Sequence, residues 1–194
     1  MRAEGEKTVR DRASDALLMT RVSSRDSTAC RELVALHLDG VVGLAMRMLN
    51  GNRAEAEDVA QESFLKLWRQ AGRWRPEARI RTWLYRVAHN LCIDRIRKQS
   101  RESGETAPDQ EDHAPGPQSH LESRQLAAAV NRAVAALPER QRTAITLVHH
   151  QGFRQAEAAQ VMGVGVRALE SLLARGRKTL RVRLAAVRRD VNRG

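Results

Sequence analysis

The segment from Arg79 to Arg101 constrains the fold most strongly, because it predicts one long helix. It contains no proline or glycine, and its apolar residues recur at steps of three and four. One stripe collects the residues that we expect to face a core, namely Leu84, Val87, Ala88, Leu91 and Cys92. The opposite side carries Arg86, Asn90, Ile93 and Arg97, after the aromatic residues Trp83 and Tyr85. Because guanidinium groups bind phosphates and aromatic rings stack on bases, nucleic acid is the first partner to test.

The composition favours an all-helical chain that binds an anionic partner. Aromatic residues are only 3% of the 194 residues, while Ala, Leu, Val and Arg are abundant, which favours helices over sheets. The net charge of +11 indicates an anionic partner. Cys30 and Cys92 are far apart and predict reduced, at least partly buried thiols, with neither a disulfide nor zinc. We find no pattern of a signal peptide or a membrane span, so we expect a cytoplasmic protein.

The charge divides the chain into two basic blocks around an acidic stretch. Residues 101–120 contain one Arg against five acidic residues and three prolines, which predicts a flexible linker over residues 102–120. We therefore expect small helical domains at residues 14–101 and 121–187, a disordered tail at residues 1–13 and a short tail at residues 188–194. Within the first domain, Ser14 is the expected N-cap of a short helix ending near Val22.

The helix predicted for residues 53–70 has two contrasting faces. Its apolar stripe consists of Ala56, Val59, Ala60, Ser63, Phe64 and Leu67. Its other face carries Glu55, Asp58, Gln61, Glu62, Leu65 and Trp68. Since large apolar side chains at a surface cost free energy unless they are covered, Leu65 and Trp68 predict a protein-contact patch. The alternative is that Trp68 folds back onto its own domain.

The second block predicts a helix-turn-helix. Helical patterns end at Pro138, run from residue 139 to 150 and from 155 to 162, and resume after Gly163 as a basic helix over residues 166–187. The expected buried side of that last helix is Leu169, Leu173, Gly176, Leu180 and Leu184. The other side carries Ala168, Ser171, Leu172, Arg175, Lys178 and Thr179. On that side, Arg175 and Lys178 can contact phosphates or guanine, and Leu172 can touch a thymine methyl group. The alternative is a solvated basic face.

Three segments together resemble bacterial sigma-70-type initiation factors. The run W-L-Y-R-V-A-H-N-L-C-I-D-R-I-R, residues 83–97, resembles their promoter-melting and minus-10 segment. D-V-A-Q-E-S-F-L-K-L-W, residues 58–68, resembles the segment that docks on the RNA polymerase core. A-L-P-E-R-Q-R, with E-A-A-Q-V-M-G-V and S-L-L-A-R-G-R-K, resembles the minus-35 domain. The likeness is greatest to the short extracytoplasmic-function group, which keeps two conserved domains.

This resemblance implies an all-α fold with sigma region 2 and sigma region 4, joined by the linker, and a role without catalysis, cofactor or metal. The implied core polymerase contacts are Asp58, Gln61, Glu62, Leu65 and Trp68. The implied minus-10 contacts are Arg73, Trp74, Arg75, Trp83, Arg86, Asn90 and Arg97, of which the first three would cradle a base flipped from the duplex. The implied minus-35 contacts are Arg167, Ser171, Leu172, Arg175 and Lys178. The implied partners are core RNA polymerase, promoter DNA and an anti-sigma factor.

The chain departs from the family pattern at several DNA-contact positions. Pro76 and Ile80 differ near the base pocket, which leaves the preferred base open. In the recognition helix, Ala168, Glu170 and Leu172 replace the usual Thr, basic residue and Arg. An acid at position 170 repels phosphates or accepts a hydrogen bond from cytosine, so we expect an atypical minus-35 preference.

Other functions remain as alternatives. A sigma-like decoy would sequester an anti-sigma factor without reading DNA, and an ordinary transcriptional regulator would account for the second block alone. A metal enzyme built on Glu55, Glu57, Asp58 and Glu62, or on the pair at residues 149–150, is disfavoured because no Glu-x-x-His pairing accompanies them. The acidic linker is either a solvated tether or a mimic of nucleic acid. Closure of the two basic modules on each other could also limit the activity of the free protein.

Overall fold

The protein is all-helical throughout the part of the chain that the structure describes. A computed structural model describes the backbone of residues 2–75, 78–103 and 129–191, and the side chains of residues 13–75, 78–101 and 129–185. The helices are α1 (Arg2–Ser23), α2 (Ser27–Met48), α3 (Arg53–Gln70), α4 (Ile80–Ser103), α5 (described over residues 129–135), α6 (Glu139–Ile145), α7 (Gln155–Met162) and α8 (Val166–Val191). None of these described helices is both long enough and apolar enough to span a bilayer. The all-α prediction is confirmed.

The chain ends differ from the sequence prediction. Helix α1 begins at Arg2, so Ser14 is not its N-cap and residues 2–13 are helical instead of disordered. This stretch lacks proline and is rich in Ala, Arg, Glu and Lys, whose high helix propensity favours extension of the helix. At the other end, α8 continues to Val191, beyond the predicted end at residue 187. Of the predicted linker, residues 104–120 lie outside the described ranges, and residues 102–103 complete α4.

The first module is a bundle of α1 to α4 around one apolar core. Asp26 caps α2 by accepting hydrogen bonds from the backbone N–H groups of Thr28 (2.8 Å) and Ala29 (3.2 Å). The six residues predicted as the buried stripe of α3 are all buried. The stripe of α4 is confirmed too, with four of its five residues buried and Val87 partly so. Leu36 of α2, in contrast to these core residues, is 63% exposed.

His37 of α2 provides a pH-dependent contribution to the stability of this module. Burial, followed by the positive charges of Arg81 and Arg79, lowers the pKa of His37 from 6.5 to about 4. Below pH 6.5 the unfolded chain therefore takes up a proton that the folded chain refuses, so the free energy of unfolding falls as the pH drops towards 4. We expect a loss of about 2 kcal/mol, allowing for partial solvent exposure. Urea unfolding at pH 7 and at pH 4.5 would measure it.

The matched variant His37→Gln separates this loss from acid effects elsewhere in the chain. Burial also lowers the pKa values of His89 and His150, and both histidines remain in this variant. The variant should therefore lose less stability between the two pH values than the wild type. Equal losses in the two proteins would show that His37 does not cause the effect.

The second module places α8 across α6 and α7. After α6 the chain widens into one π-helical turn, Thr146–His150, and α7 ends at Gly163, whose φ of 63° is the left-handed conformation that glycine tolerates best. Gly176, in the middle of α8, is buried against α6. A Cβ atom at this position would stand 3.0 Å from Cγ1 of Ile145, so close helix packing explains a glycine that would otherwise weaken the helix.

The two modules contact each other directly. Helix α4 packs on α7, and the C-terminal half of α2 packs on α6 and the π-helical turn. The buried apolar residues of both modules form one continuous cluster. The two predicted domains therefore share a core in this arrangement.

Candidate protein and nucleic-acid interfaces

The outer face of α3 presents the side chains that the sequence predicts for a protein contact. Asp58, Gln61, Leu65 and Trp68 are exposed and lie on one side of the helix. The exposed fractions of Leu65 and Trp68 are 38% and 39%, large for residues of this size and hydrophobicity. Trp68 lies 6.5 Å from the ring centroid of Phe64, so it leans on its own module without being covered by it. The alternative that Trp68 folds back onto its own domain is thus met in part, since more than a third of the side chain stays exposed.

Gln61, Leu65 and Trp68 line an apolar cleft between α2 and α3, which we call the α2/α3 groove. Its volume is about 630 Å³, and it is lined by Val34, Leu38, Asp39, Val42, Gly43, Arg53, Glu57, Gln61, Phe64, Leu65 and Trp68. The α2 wall was missed by sequence reasoning, because Val34 and Val42 fit the pattern of ordinary core positions. The sequence signal for this wall was Leu38, a leucine that does not belong to the buried residues of α2 and is 37% exposed. The groove can accept apolar anchor residues from a helix.

Glu62 differs from the other predicted contacts on α3. Its carboxylate lies 3.0 Å from Nζ of Lys66 and 3.6 Å from Nη2 of Arg95 on α4. Its two oxygens are thus already paired within the module. Any contribution of Glu62 to a partner would have to share these cations, so Asp58 and Gln61 are the freer polar groups.

The loop between α3 and α4 brings its tryptophan to the first turn of α4. The rings of Trp74 and Trp83 meet edge to face, with 6.1 Å between their centroids. Both tryptophans are partly buried, whereas Arg73 and Arg75 are exposed on either side of Trp74. Aromatic surface on which a base can stack therefore lies beside two cations that can bind its phosphate. Pro76 and Glu77, which complete the loop, lie outside the described residues.

The predicted nucleic-acid face of α4 is present, but the second module borders it. Arg86, Asn90 and Arg97 are exposed, as predicted from their phase in the helix. Tyr85, by contrast, is only 3% exposed and faces the second module instead of solvent. A polar cleft of about 580 Å³ separates α4 from α6, and it is lined by His89, Asn90, Ile93, Asp94, Arg97, Glu139, Arg140 and Met162.

The outer face of α8 forms a basic row. Arg167, Ser171, Arg175 and Lys178 follow one another at four-, four- and three-residue steps and are all exposed. Ser171 donates to the carbonyl of Arg167 (3.0 Å), and Nε of Arg175 donates to the carbonyl of Ser171 (3.2 Å), so both side chains lie along the helix. Glu170 is exposed next to the row. The arrangement suits a helix that contacts phosphates and base edges in the major groove.

Leu172 does not belong to this exposed face. It is only 8% exposed and forms part of the apolar core, so the expectation that it touches a thymine methyl group is wrong. The physical reason is that both α6 and α7 pack against α8, which makes the buried sector wider than one facing helix would need. Leu172 lies at the border of that sector, 60° from Leu169 on a helical wheel of about 100° per residue.

The acidic side chains of α3 take part in contacts within their own module. Within the described ranges, no three His, Cys, Asp or Glu side chains come together as potential metal ligands. Glu57 instead pairs with Arg53 (2.8 Å), and Glu55 accepts a hydrogen bond from Gln99 (2.7 Å). Both carboxylates therefore have side-chain partners in the first module.

Comparison with protein families places both modules in the same class. Residues 33–102 match the family described as Sigma-70 region 2, and residues 127–180 match Sigma-70, region 4. Among curated proteins, the ECF RNA polymerase sigma factor SigE of Mycolicibacterium smegmatis is 34% identical over 79% of this chain and 61% of its own length. The RNA polymerase sigma-H factor of Pseudomonas aeruginosa is 33% identical over 86% of this chain and 91% of its own length.

Solved structures share the fold. The structure of CnrH in complex with the cytosolic domain of CnrY aligns with a TM-score of 0.66 and 25% identity, covering 89% of this chain and 97% of that chain. The sigma factor RpoE of Bartonella quintana, solved in complex with the anti-sigma factor NepR, aligns with a TM-score of 0.68 over 80% of this chain and 96% of that chain. At 23% identity, the second likeness concerns the fold alone.

Proposed function

Because the chain belongs to the extracytoplasmic-function group of the sigma-70 family, we propose that it binds core RNA polymerase and directs it to a class of promoters. In this role it recognises minus-35 and minus-10 elements and promotes local melting of the DNA. The observation that carries the proposal is the order of the two family matches, region 2 at residues 33–102 and region 4 at residues 127–180. It would act in the cytoplasm, where the polymerase transcribes.

The α2/α3 groove is the surface that we assign to the polymerase. An amphipathic helix of the core would insert apolar side chains between Leu38 and Trp68, while Asp58 and Gln61 bind polar groups at the rim. The support is the combination of exposed aromatic and aliphatic anchors with an acidic border, which resembles the centre and rim of a protein interface.

The DNA would be held at two places. The basic row of α8 would enter the major groove at the minus-35 element, while Trp74, Trp83 and the arginines of the loop and α4 would hold unpaired minus-10 bases. Stacking of a base on an aromatic ring contributes about 1–3 kcal/mol. Strand separation would therefore be driven by binding free energy, and this chain would make or break no bond.

The test is in vitro transcription from a library of random promoters, using purified core polymerase with and without this protein. Enrichment of transcripts whose promoters share two upstream elements is the expected result. It would also identify the minus-35 sequence that Glu170 selects. Transcription that the protein does not change would refute the proposal.

A second candidate function is a decoy that sequesters an anti-sigma factor without reading promoters. Glu170 in the recognition helix favours it, because an acid there repels phosphates. Among the aligned structures, CnrH was solved in complex with the cytosolic domain of CnrY, and the sigma factor RpoE of Bartonella quintana in complex with the anti-sigma factor NepR. A decoy would leave the promoter library unenriched even if it bound polymerase. Control of the present protein by an anti-sigma factor is part of our proposal under either function.

Arg175→Ala should weaken binding to duplex DNA that contains the minus-35 element by about 1–3 kcal/mol, because an exposed guanidinium in the basic row would lose its phosphate or guanine contact. Fluorescence anisotropy with the duplex recovered from the library measures this loss. Arg183→Ala is the matched control, since Arg183 is exposed on the same helix beyond the basic row. Equal binding of wild type and Arg175→Ala would remove Arg175 from the interface.

A further inference from the structure

The burial of Leu172 raises the question of which groups on α8 contact base edges besides the basic row. Glu170 and Ala174 are both exposed, and they lie four positions apart on the helix. Residues with this spacing are neighbours on a helix surface, with about 5–6 Å between their Cβ atoms. We call this pair the Glu170/Ala174 edge. It combines a carboxylate with a bare methyl group, in contrast to the cations of the basic row.

The Glu170/Ala174 edge faces the same side as the basic row. On a helical wheel of about 100° per residue, Ala174 lies about 20° and Glu170 about 60° from Arg167. The buried residues Leu169 and Leu173 lie on the opposite side of the helix. A major groove about 12 Å wide admits one α-helix, so a duplex that meets the basic row also meets the edge.

The carboxylate of Glu170 is available to a base. Among the side chains that the structure describes, none forms a hydrogen bond or an ion pair with it, whereas Glu57 and Glu62 are paired with cations of the first module. An ionised carboxylate only accepts hydrogen bonds, and the amino groups of cytosine and adenine are donors in the major groove. Adenine places its N7 acceptor beside the amino group, where it repels the second carboxylate oxygen. Cytosine has only a C–H group there, so it is the base that suits Glu170.

The methyl group of Ala174 suits a thymine. Alanine makes an apolar contact with the C5 methyl group of thymine, which is the contact that the buried Leu172 cannot make. The short side chain also allows the backbone of α8 to approach the groove closely. One helical turn rises about 5.4 Å and one base-pair step about 3.4 Å, so the bases that meet Glu170 and Ala174 lie within two positions of each other.

We propose that the Glu170/Ala174 edge determines the minus-35 preference of this protein. Glu170 accepts a hydrogen bond from the amino group of a cytosine, and Ala174 packs on the methyl group of a thymine no more than two positions away. This inference rests on the proposed function. The cations of the basic row lie on the same side and bind phosphates, so they offset the repulsion between one carboxylate and the DNA backbone.

Glu170→Gln and Ala174→Ser test the two contacts with little risk to folding, because both positions are exposed. The glutamine keeps the size of the side chain but donates as well as accepts hydrogen bonds, so it should tolerate bases other than cytosine. The serine replaces the methyl group by a polar hydroxymethyl group. Glu32→Gln is the matched control, since it removes the same charge from an exposed position of α2 in the first module.

The experiment starts from promoters with a randomised minus-35 region, selected by core polymerase together with the full-length protein. Competition between duplexes then measures the affinity of each complex. Exchange of the selected cytosine for thymine should weaken binding about tenfold with the wild type and less than about threefold with Glu170→Gln. Exchange of the selected thymine for deoxyuridine, which lacks only the methyl group, should weaken binding about threefold with the wild type and less with Ala174→Ser. Glu32→Gln should match the wild type.

The selected promoters separate the possible outcomes. If Glu170→Gln selects the same minus-35 sequence as the wild type, or gains affinity equally for all sequences, Glu170 reads no base; the inference is then overturned while the proposed function stands. Unchanged binding of the wild type to every deoxyuridine duplex would overturn the contact of Ala174. If none of the proteins enriches any promoter, although circular dichroism shows that they are folded, the proposed function fails and the inference fails with it.

Discussion

Replacing Leu65 and Trp68 together by alanine should reduce the affinity for core RNA polymerase by about 3 kcal/mol, or roughly 100-fold. Both side chains border the α2/α3 groove and are more than a third exposed, so their truncation removes apolar anchors without opening a cavity in the core. Titration of labelled protein with core polymerase, followed by fluorescence anisotropy, measures the effect. In vitro transcription should fall in parallel at limiting protein concentration.

The control for this double variant is Leu36→Ala. Leu36 is 63% exposed on α2 and does not line the α2/α3 groove, so its removal should leave the polymerase affinity within about 0.5 kcal/mol of the wild type. Circular dichroism should show that both variants keep their helices. If Leu36→Ala and the double variant lose the same affinity, the docking surface is not specific to the groove.

Leu172→Ala should destabilise the second module by about 2–5 kcal/mol, because truncation of a buried leucine loses apolar contacts and leaves a cavity. Leu172 packs in the core where α6 and α7 both meet α8. Urea unfolding followed by circular dichroism measures the loss. Binding to the minus-35 duplex would then decline through unfolding, without a change in the preference for thymine among the duplexes tested.

Ser171→Ala provides the neighbouring comparison. Ser171 is exposed on α8, and its hydroxyl donates only to the carbonyl of Arg167 (3.0 Å), so the free energy of unfolding should change by no more than about 0.5 kcal/mol. Any effect of this variant should appear in DNA binding. If Leu172→Ala instead keeps full stability and alters base preference, the residue reads DNA as its sequence position first suggested.

Periodicity alone predicted the elements that pack against a single neighbouring surface. The bounds of α3 and its six buried residues were correct, because one side of that helix meets the bundle and the other meets solvent. The helical periodicity that places these six residues on the buried side also places Leu65 and Trp68 on the exposed side, as the structure shows. Helix α8 is different because two helices cover it, so a narrow stripe underestimates its buried face and misplaces Leu172.

The contacts between the two modules could not be predicted from local patterns. Arg142 and Gln151 are polar residues, and periodicity assigns such residues to solvent. Their partners lie far away in sequence, because Arg142 donates a hydrogen bond to Asn50, 92 positions earlier, and Gln151 accepts one from Tyr85, 66 positions earlier. Only the general idea of closure was accessible, since two basic blocks on one chain can contact each other. Which side chains close the contact depends on tertiary packing.

Helix α1 was misjudged for a related reason. Residues 1–13 are mostly polar and charged, and this composition predicted a disordered tail. Helix propensity continues the helix backwards from a docked segment, in which Met19 and Val22 are buried and Asp15 accepts a hydrogen bond from the backbone of Ile80 (2.8 Å). A docked segment removes the cost of starting a helix, so the residues that precede it can join the same helix.

The burial of Cys92 has a consequence for how oxidative stress can reach this protein. The thiol lies on the core side of α4, and a pKa of about 12 leaves almost no thiolate at neutral pH. Peroxides and electrophiles attack the thiolate, so the sulfur at the centre of α4 should resist sulfenic acid formation. Oxidants would therefore act on Cys30, which is partly exposed, or on another protein that senses them and passes the signal on.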